Sequence, residues 1–163
     1  MLIDLETYDG PEQVNADACI VGGGAAGVFL ARQLINKGKQ VCLLEAGGAD
    51  FEEASQDFYQ GDNLGMSYYP IRESRLRFFG GTTNIWGGRC VPLQPMDFER
   101  REWVPHSGWP IGFDDLLPYY RRAHDALELG EFVYDERLWA SSKRTAPEFS
   151  AGLFDTLFWR FAQ

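Results

Sequence analysis

Residues 18–48 read ACIVGGGAAGVFLARQLINKGKQVCLLEAGG, and the fold turns on this stretch. An apolar run at 17–21 ends in three glycines, which suits a buried parallel strand entering a tight turn. Helix formers follow over 25–37, with apolar positions at Val28, Leu30, Ala31, Leu34 and Ile35. Gly38 supplies the helix stop. A second apolar run at 40–44 closes on Glu45, 23 residues after Gly22. The pattern predicts a β-α-β unit with a right-handed crossover.

Gly22, Gly24 and Gly27 form G-x-G-x-x-G between that strand and that helix. Gly22 permits the sharp turn, Gly24 lets backbone approach a pyrophosphate, and Gly27 lets helix and strand lie close. Ala31 is small enough to extend that contact. Ala25 and Ala26 open the helix, whose first N–H groups and about half a positive charge face the phosphates. Glu45 is placed to accept both hydroxyls of an adenosine ribose, and it repels a 2′-phosphate. The alternative is a glycine-rich turn with an incidental glutamate. The strand, the helix, Ala31, Gly38 and Glu45 in register favour dinucleotide binding through Gly22, Gly24, Ala25, Ala26, Gly27 and Glu45. NADP is disfavoured; NAD and FAD both remain.

Composition narrows the function class. The chain has 163 residues, 45% hydrophobic and 24% charged, with a net charge of -9. That balance suits a soluble globular protein and argues against a sequence-independent nucleic-acid binder or an anionic membrane surface. No apolar run approaches the roughly 20 residues needed to span a bilayer. The N-terminus is acidic, without a secretory pattern. Cys19, Cys42 and Cys90 are too far apart for a disulfide framework or a zinc site, so no metal is expected and a reducing, cytoplasmic setting is. Cys19 and Cys42 lie in apolar runs and are expected as buried thiols.

After Gly48 the alternation stops. No second β-α-β unit is legible over 49–112, and so long an irregular stretch points to function. It holds RFFGGTTNIWGGRC, residues 77–90, in which two glycine pairs flank small polar residues. Such a chain can press its backbone against a flat ligand, with Thr82, Thr83 and Asn84 as hydrogen-bonding groups and Trp86 as an apolar face. Two loop turns around a core tryptophan are the alternative. A helix is expected over 114–129, with Asp114 as N-cap, Pro118 in the first turn and Gly130 as the stop. The mixed charges of 97–102 and 119–125 read as solvated helix faces. TLFWRFA, 156–162, can form a further strand. With so few strands, the chain reads as the front part of a larger one.

The quoted runs, together with DFERREWVPHSGWPIGFDDLLPYYRRAHDAL at 97–127, resemble the glucose–methanol–choline flavoprotein oxidoreductases, including their bacterial sugar-oxidising and pyranose-oxidase-like branch. The resemblance implies FAD rather than NAD. It places Gly80, Gly81, Thr82 and Asn84 beside the pyrophosphate and isoalloxazine. In some members a histidine just past the glycine pair is bonded to the flavin. Ile85 stands at the matching place, so the FAD is expected to be non-covalent. The family's catalytic base is a histidine near the C-terminus of much longer chains. His106 and His124 do not match it, and no catalytic residue is assigned.

The expected fold class is α/β: a Rossmann-like FAD-binding β-α-β unit, then long cofactor-wrapping loops and a helix, with an incomplete sheet. Residues 1–130 are expected as the N-terminal part of an FAD-binding domain, and 131–163 as the start of a substrate-binding domain. The implied function is oxidation of CH–OH groups of a small alcohol or sugar by hydride transfer to flavin, with this chain alone inactive. The rivals are an NAD-dependent dehydrogenase module, which predicts continued strand–helix alternation, and a non-catalytic dinucleotide-binding protein.

Overall fold

The computed structural model describes all residues except 12, 146, 148–152, 155 and 163. The expected stretch 131–163 thus lies partly outside the described residues. The chain forms two compact units, Met1–Trp86 and Gly87–Gln163.

In the first unit, strand β1 (Ala18–Val21) pairs in parallel with β2 (Val41–Leu44), with Ala18 opposite Val41 and Val21 opposite Leu44. Helix α1 (Ala25–Ile35) makes the crossover. Its end is closed as expected at Gly38, which has φ +75°. The Gly38 N–H donates to Ile35 C=O at 2.8 Å and the Lys39 N–H to Leu34 C=O at 3.1 Å. These two bonds satisfy carbonyls the helix ladder leaves free. Ala31 is buried. The chain then runs through two short helices, α2 (Glu53–Gln56) and α3 (Ile71–Ser74), and 3-10 turns at Asp57–Tyr59 and Gly81–Ile85. No third parallel strand joins β1 and β2 among the described residues, in line with the incomplete sheet.

Cys19 is exposed and Cys42 only half-buried, which corrects the expected buried thiols. The reason is the pleat. A Cβ on Gly27 would sit 3.5 Å from Ile20 Cγ2, so Ile20 faces α1. Its neighbours Cys19 and Val21 therefore face away and are exposed, Val21 to 84%.

The second unit carries β3 (Arg89–Cys90), α4 (Pro95–Phe98), α5 (Phe113–Ala126), α6 (Arg137–Ser142) and β4 (Arg160–Phe161). The tail does form a strand, but β4 pairs antiparallel with β3 and not with the parallel sheet. The stretch 97–102 is helical only as far as Phe98, which is buried. Helix α5 departs from expectation at both ends. Its N-cap is Gly112, because Asp115 reaches back to accept the Gly112 N–H at 2.8 Å. Pro118 therefore lies inside the helix and removes one ladder bond. At the other end the helix already stops at Ala126, and Glu128 (φ +54°) enters the left-handed region ahead of Gly130 (φ +75°). The Leu129 N–H then donates back to His124 C=O at 3.0 Å.

His124 is not on a solvated face. It is buried among Phe132 and Tyr134, with ring centroids at 4.8 and 5.4 Å. Its Nδ1 lies 3.1 Å from Gly130 O and its Nε2 2.9 Å from the Tyr134 hydroxyl. A carbonyl only accepts, so Nδ1 carries a proton, and in the neutral ring Nε2 accepts the Tyr134 O–H. Burial pushes the Tyr134 pKa up, and Cys90 adds to this against an opposing effect from Arg160. The phenol stays a donor.

A side chain in the left-handed region costs about 1–2 kcal/mol, and glycine's extra freedom in the unfolded chain offsets part of that gain. Glu128→Gly is therefore expected to raise stability by about 0.5–1 kcal/mol. Urea unfolding should show a higher midpoint with unchanged slope. A midpoint at or below that of the parent would refute the strain argument.

Candidate FAD-binding site

The site residues expected from sequence all fall in the first unit. Gly22 has φ +104° and donates its N–H to Leu44 C=O at 2.7 Å. The turn out of β1 thus needs glycine and is tied to the end of β2. A Cβ on Gly27 would meet Gly22 O at 1.9 Å, so only a glycine permits this approach of helix to turn. In front of Gly24 nothing lies within 4 Å of a would-be Cβ. That is open space against bare backbone. The first ladder bond of α1 runs from the Val28 N–H to Gly24 C=O at 2.9 Å, and no side chain caps the helix. The Gly24–Gly80 bridge directs the Ala25 N–H to Gly80 C=O, while the N–H groups of Ala26 and Gly27 lie outside the ladder, as at any helix start, where an anion can be held.

Glu45 follows β2 directly. Its Oε2 accepts the Gly23 N–H at 2.6 Å, and its Oε1 accepts the N–H groups of Ala46 at 2.9 Å and Gly47 at 3.0 Å. Partial burial pulls the carboxyl pKa up. The N–H donors of Gly47, Gly23 and Ala46, with the charge of Arg77, outweigh it and hold the group below the usual carboxylate range. A carboxylate offers about four lone-pair positions. Three are used here, which leaves one for a further donor, so the carboxylate has room for one ribose hydroxyl and not for the two expected.

The second glycine cluster meets the first. The Gly80 N–H donates to Gly23 C=O at 2.9 Å, and Gly24 and Gly80 form an isolated parallel bridge. Gly80 and Gly81 both have positive φ, +89° and +57°. A Cβ on Gly81 would stand 3.7 Å from Gly24 Cα. Thr82 Oγ1 accepts the Leu76 N–H at 3.3 Å. Asn84 Nδ2 donates to Phe79 C=O at 3.1 Å and Gly81 C=O at 2.9 Å, folding the amide back onto its own turn. Thr83 Oγ1 donates to Gly80 C=O. Trp86 and Ile85 are exposed at the end of that turn.

Two further glycines matter. Gly23, the middle of the three and outside the G-x-G-x-x-G count, joins Glu45 to Gly80 through its two backbone groups. A Cβ on Gly47 would meet Arg77 O at 2.0 Å. The repeated glycines in VGGG and EAGG were the signal available for both. The residues present fit an FAD: open space over Gly24, unladdered N–H groups beside it, and a carboxylate with spare acceptor capacity at the strand end. Neither histidine belongs to this unit, and no cluster of three or more metal-ligating side chains occurs among the described residues.

Comparison with known proteins finds relatives for this chain. The chain is 33% identical over 119 residues to 6'''-hydroxyparomomycin C oxidase of Streptomyces lividus, covering 64% of this chain and 21% of that protein. It is 31% identical over 126 residues to an oxygen-dependent choline dehydrogenase of Rhizobium johnstonii, covering 67% and 23%. Paromamine 6'-oxidase of Streptomyces fradiae is 29% identical over 119 residues, covering 64% and 21%. The chain thus spans between a fifth and a quarter of the length of these curated relatives. They agree with the resemblance to the glucose–methanol–choline flavoproteins. The FAD dependent oxidoreductase family matches residues 17–161, from the first residue before β1 to the end of β4. With that match over most of its length, and with glycine loops and a strand-end glutamate that suit the cofactor, the chain belongs to the FAD-dependent oxidoreductase family.

Proposed function

We propose that the chain binds FAD non-covalently as the N-terminal portion of an oxidoreductase acting on CH–OH groups. In this reading Gly22, Gly24, Ala25, Ala26, Gly27 and Glu45 hold the adenosine and pyrophosphate. Gly80, Gly81, Thr82 and Asn84 line the path toward the isoalloxazine. The observation that carries the reading is the Gly80 N–H bonded to Gly23 C=O at 2.9 Å, which brings both glycine clusters together beside open space at Gly24. Bound FAD supplies the hydride acceptor. The chain's own part is binding and orientation: backbone N–H groups for the phosphates, the Glu45 carboxylate for the ribose, and glycine backbone for close approach.

The substrate proposed is a small hydroxyl-bearing molecule, since the relatives are named for choline and for paromamine and its kin. An FAD-binding part over 1–130 and the start of a substrate-binding part over 131–163 belong to the same proposal. So does a reducing, cytoplasmic setting, supported by three free cysteines. No nucleic-acid partner is proposed, given the net charge of -9. No described helix is long and apolar enough to cross a membrane.

Glu45→Ala is expected to weaken FAD binding by roughly 1.5–3 kcal/mol, or about ten- to a hundredfold. Flavin fluorescence titration measures it; an unchanged dissociation constant in a folded variant removes Glu45 from the site. The depressed carboxyl pKa adds a sign. Affinity should hold steady above the ordinary glutamate range and decline only as the pH falls through the lower folded value.

Ile85 cannot form a bond to flavin, so acid precipitation of the loaded protein should leave all the yellow colour in the supernatant. Fluorescence migrating with the denatured chain would contradict this.

The chain by itself is expected to oxidise no alcohol. His124 has both ring nitrogens engaged, and neither His106 nor His124 matches the family's catalytic base. Without a base for the hydroxyl proton, general-base assistance of roughly 10²–10⁴-fold is missing. Anaerobic mixing of the FAD-loaded chain with a panel of alcohols and sugars should bleach the flavin no faster than free FAD. Rapid bleaching abolished by His106→Ala or His124→Ala would overturn the expectation.

A further inference from the structure

The stretch from Arg75 to Gly80 leads into the second glycine cluster and is tethered almost residue by residue without belonging to any helix or strand. One end of that tether is a buried amide. Gln56, at the end of α2, is 2% exposed. Its Nε2 donates to Arg72 C=O and Arg75 C=O, both at 2.6 Å, and its Oε1 accepts the Arg77 N–H at 3.1 Å. Beside it, Ser55 Oγ donates to Arg77 C=O at 3.1 Å and accepts from Arg77 Nη1 at 2.7 Å. Farther along, the Phe79 N–H reaches Gly48 C=O at 3.0 Å and the Gly80 N–H reaches Gly23 C=O at 2.9 Å. A glutamine side chain thus fills the place of a neighbouring strand for the first half of the segment, and glycine carbonyls do so for the second.

We propose that Gln56 is a positioning residue for FAD: it holds the 72–77 backbone so that Gly80 and Gly81 stand against Gly23 and Gly24 before the cofactor arrives. This rests on the site reading above. With Gln56 in place the segment is ordered on folding. Without it, two carbonyls and one N–H lose their partner, the segment loosens, and the entropy of fixing it falls on the binding step. Affinity then drops even in a protein that remains folded. Gln56 has no titratable group, so the variant Gln56→Glu provides a switch. Its ionised carboxylate accepts the Arg77 N–H but repels the Arg72 and Arg75 carbonyls. In the protonated form the carboxyl donates to one of those carbonyls, and burial among acceptors raises its pKa.

The test measures FAD dissociation constants by fluorescence quenching, and the visible circular dichroism of the bound flavin. The proteins are the parent, Gln56→Leu, Gln56→Glu and Glu45→Ala, each under conditions where its urea transition shows it folded. The expected result is at least about tenfold weaker binding for Gln56→Leu, with altered flavin dichroism at saturation. Gln56→Glu should recover affinity as the pH is lowered, while Glu45 remains ionised through its depressed pKa. A purely structural glutamine would lower the urea midpoint but leave affinity and dichroism at parent values. That outcome, with Glu45→Ala still weakened, overturns the role of Gln56 and leaves the site intact. Parent affinity in both Gln56→Leu and Glu45→Ala overturns the site reading and this inference with it. Should Gln56→Leu not fold, a Gln56→Glu affinity that fails to rise as the pH falls overturns the proposal by itself.

Discussion

The first unit depends on one carboxylate. Glu45 takes N–H groups from Ala46 and Gly47 in its own turn and from Gly23 across the sheet end. Charge-assisted bonds of this type are roughly twice as strong as neutral ones. Because one of them crosses between chain segments 22 residues apart, the group fixes the turn after β1 relative to the turn after β2. Gly23 passes the constraint on: its N–H goes to Glu45 and its C=O to Gly80. Two glycine loops distant in sequence are thereby held edge to edge by backbone groups alone. At Gly23 an added Cβ would lie 2.9 Å from Glu45 Oε2 and 3.1 Å from Phe79 Cδ2, so both side chains would have to shift to admit it.

The irregular chain after Gly48 obeys the same rule by other means. It has few ladder partners, so its backbone groups are satisfied by side chains: Gln56, Ser55, Thr82, Thr83 and Asn84. Buried backbone groups need partners whatever the local structure, and a cofactor surface built from loops has to find them outside regular elements. Arg72 adds an ion pair with Glu53 and Asp57, joining α3 to α2 and the 3-10 turn after it. These charges are partly exposed, and such pairs contribute little. The buried amide is the stronger constraint.

In the second unit the same accounting explains the turn after α5. Leu129 is buried, its N–H bonded to His124 C=O and its C=O accepting from Arg160 Nε at 2.9 Å. Arg160 lies in β4, so the strand expected from TLFWRFA is anchored here and to β3 instead of extending the parallel sheet. His124 became a core residue for a related reason. Tyr134 and Gly130 satisfy both its nitrogens, which makes burial of the ring tolerable.

The sequence by itself determined the β-α-β unit, the two glycine turns and the place of Glu45, because each is a local requirement. Positive φ at Gly22 and Gly38, close packing at Gly27 and the alternation of apolar runs are dictated within a few residues, and the structure has them where the spacing put them. Tertiary structure decided the rest. Whether Cys19 is buried depends on which face of a two-stranded sheet the helix covers, and only the fold shows that Ile20 takes that face. Where α5 begins depends on Asp115, not Asp114, reaching back to the Gly112 N–H, and that makes Gly112 the cap. Gln56 gave no signal at all. A polar side chain in a polar stretch reads as surface until the chain folds two carbonyls and an N–H around it, and burial without those three partners would be prohibitive.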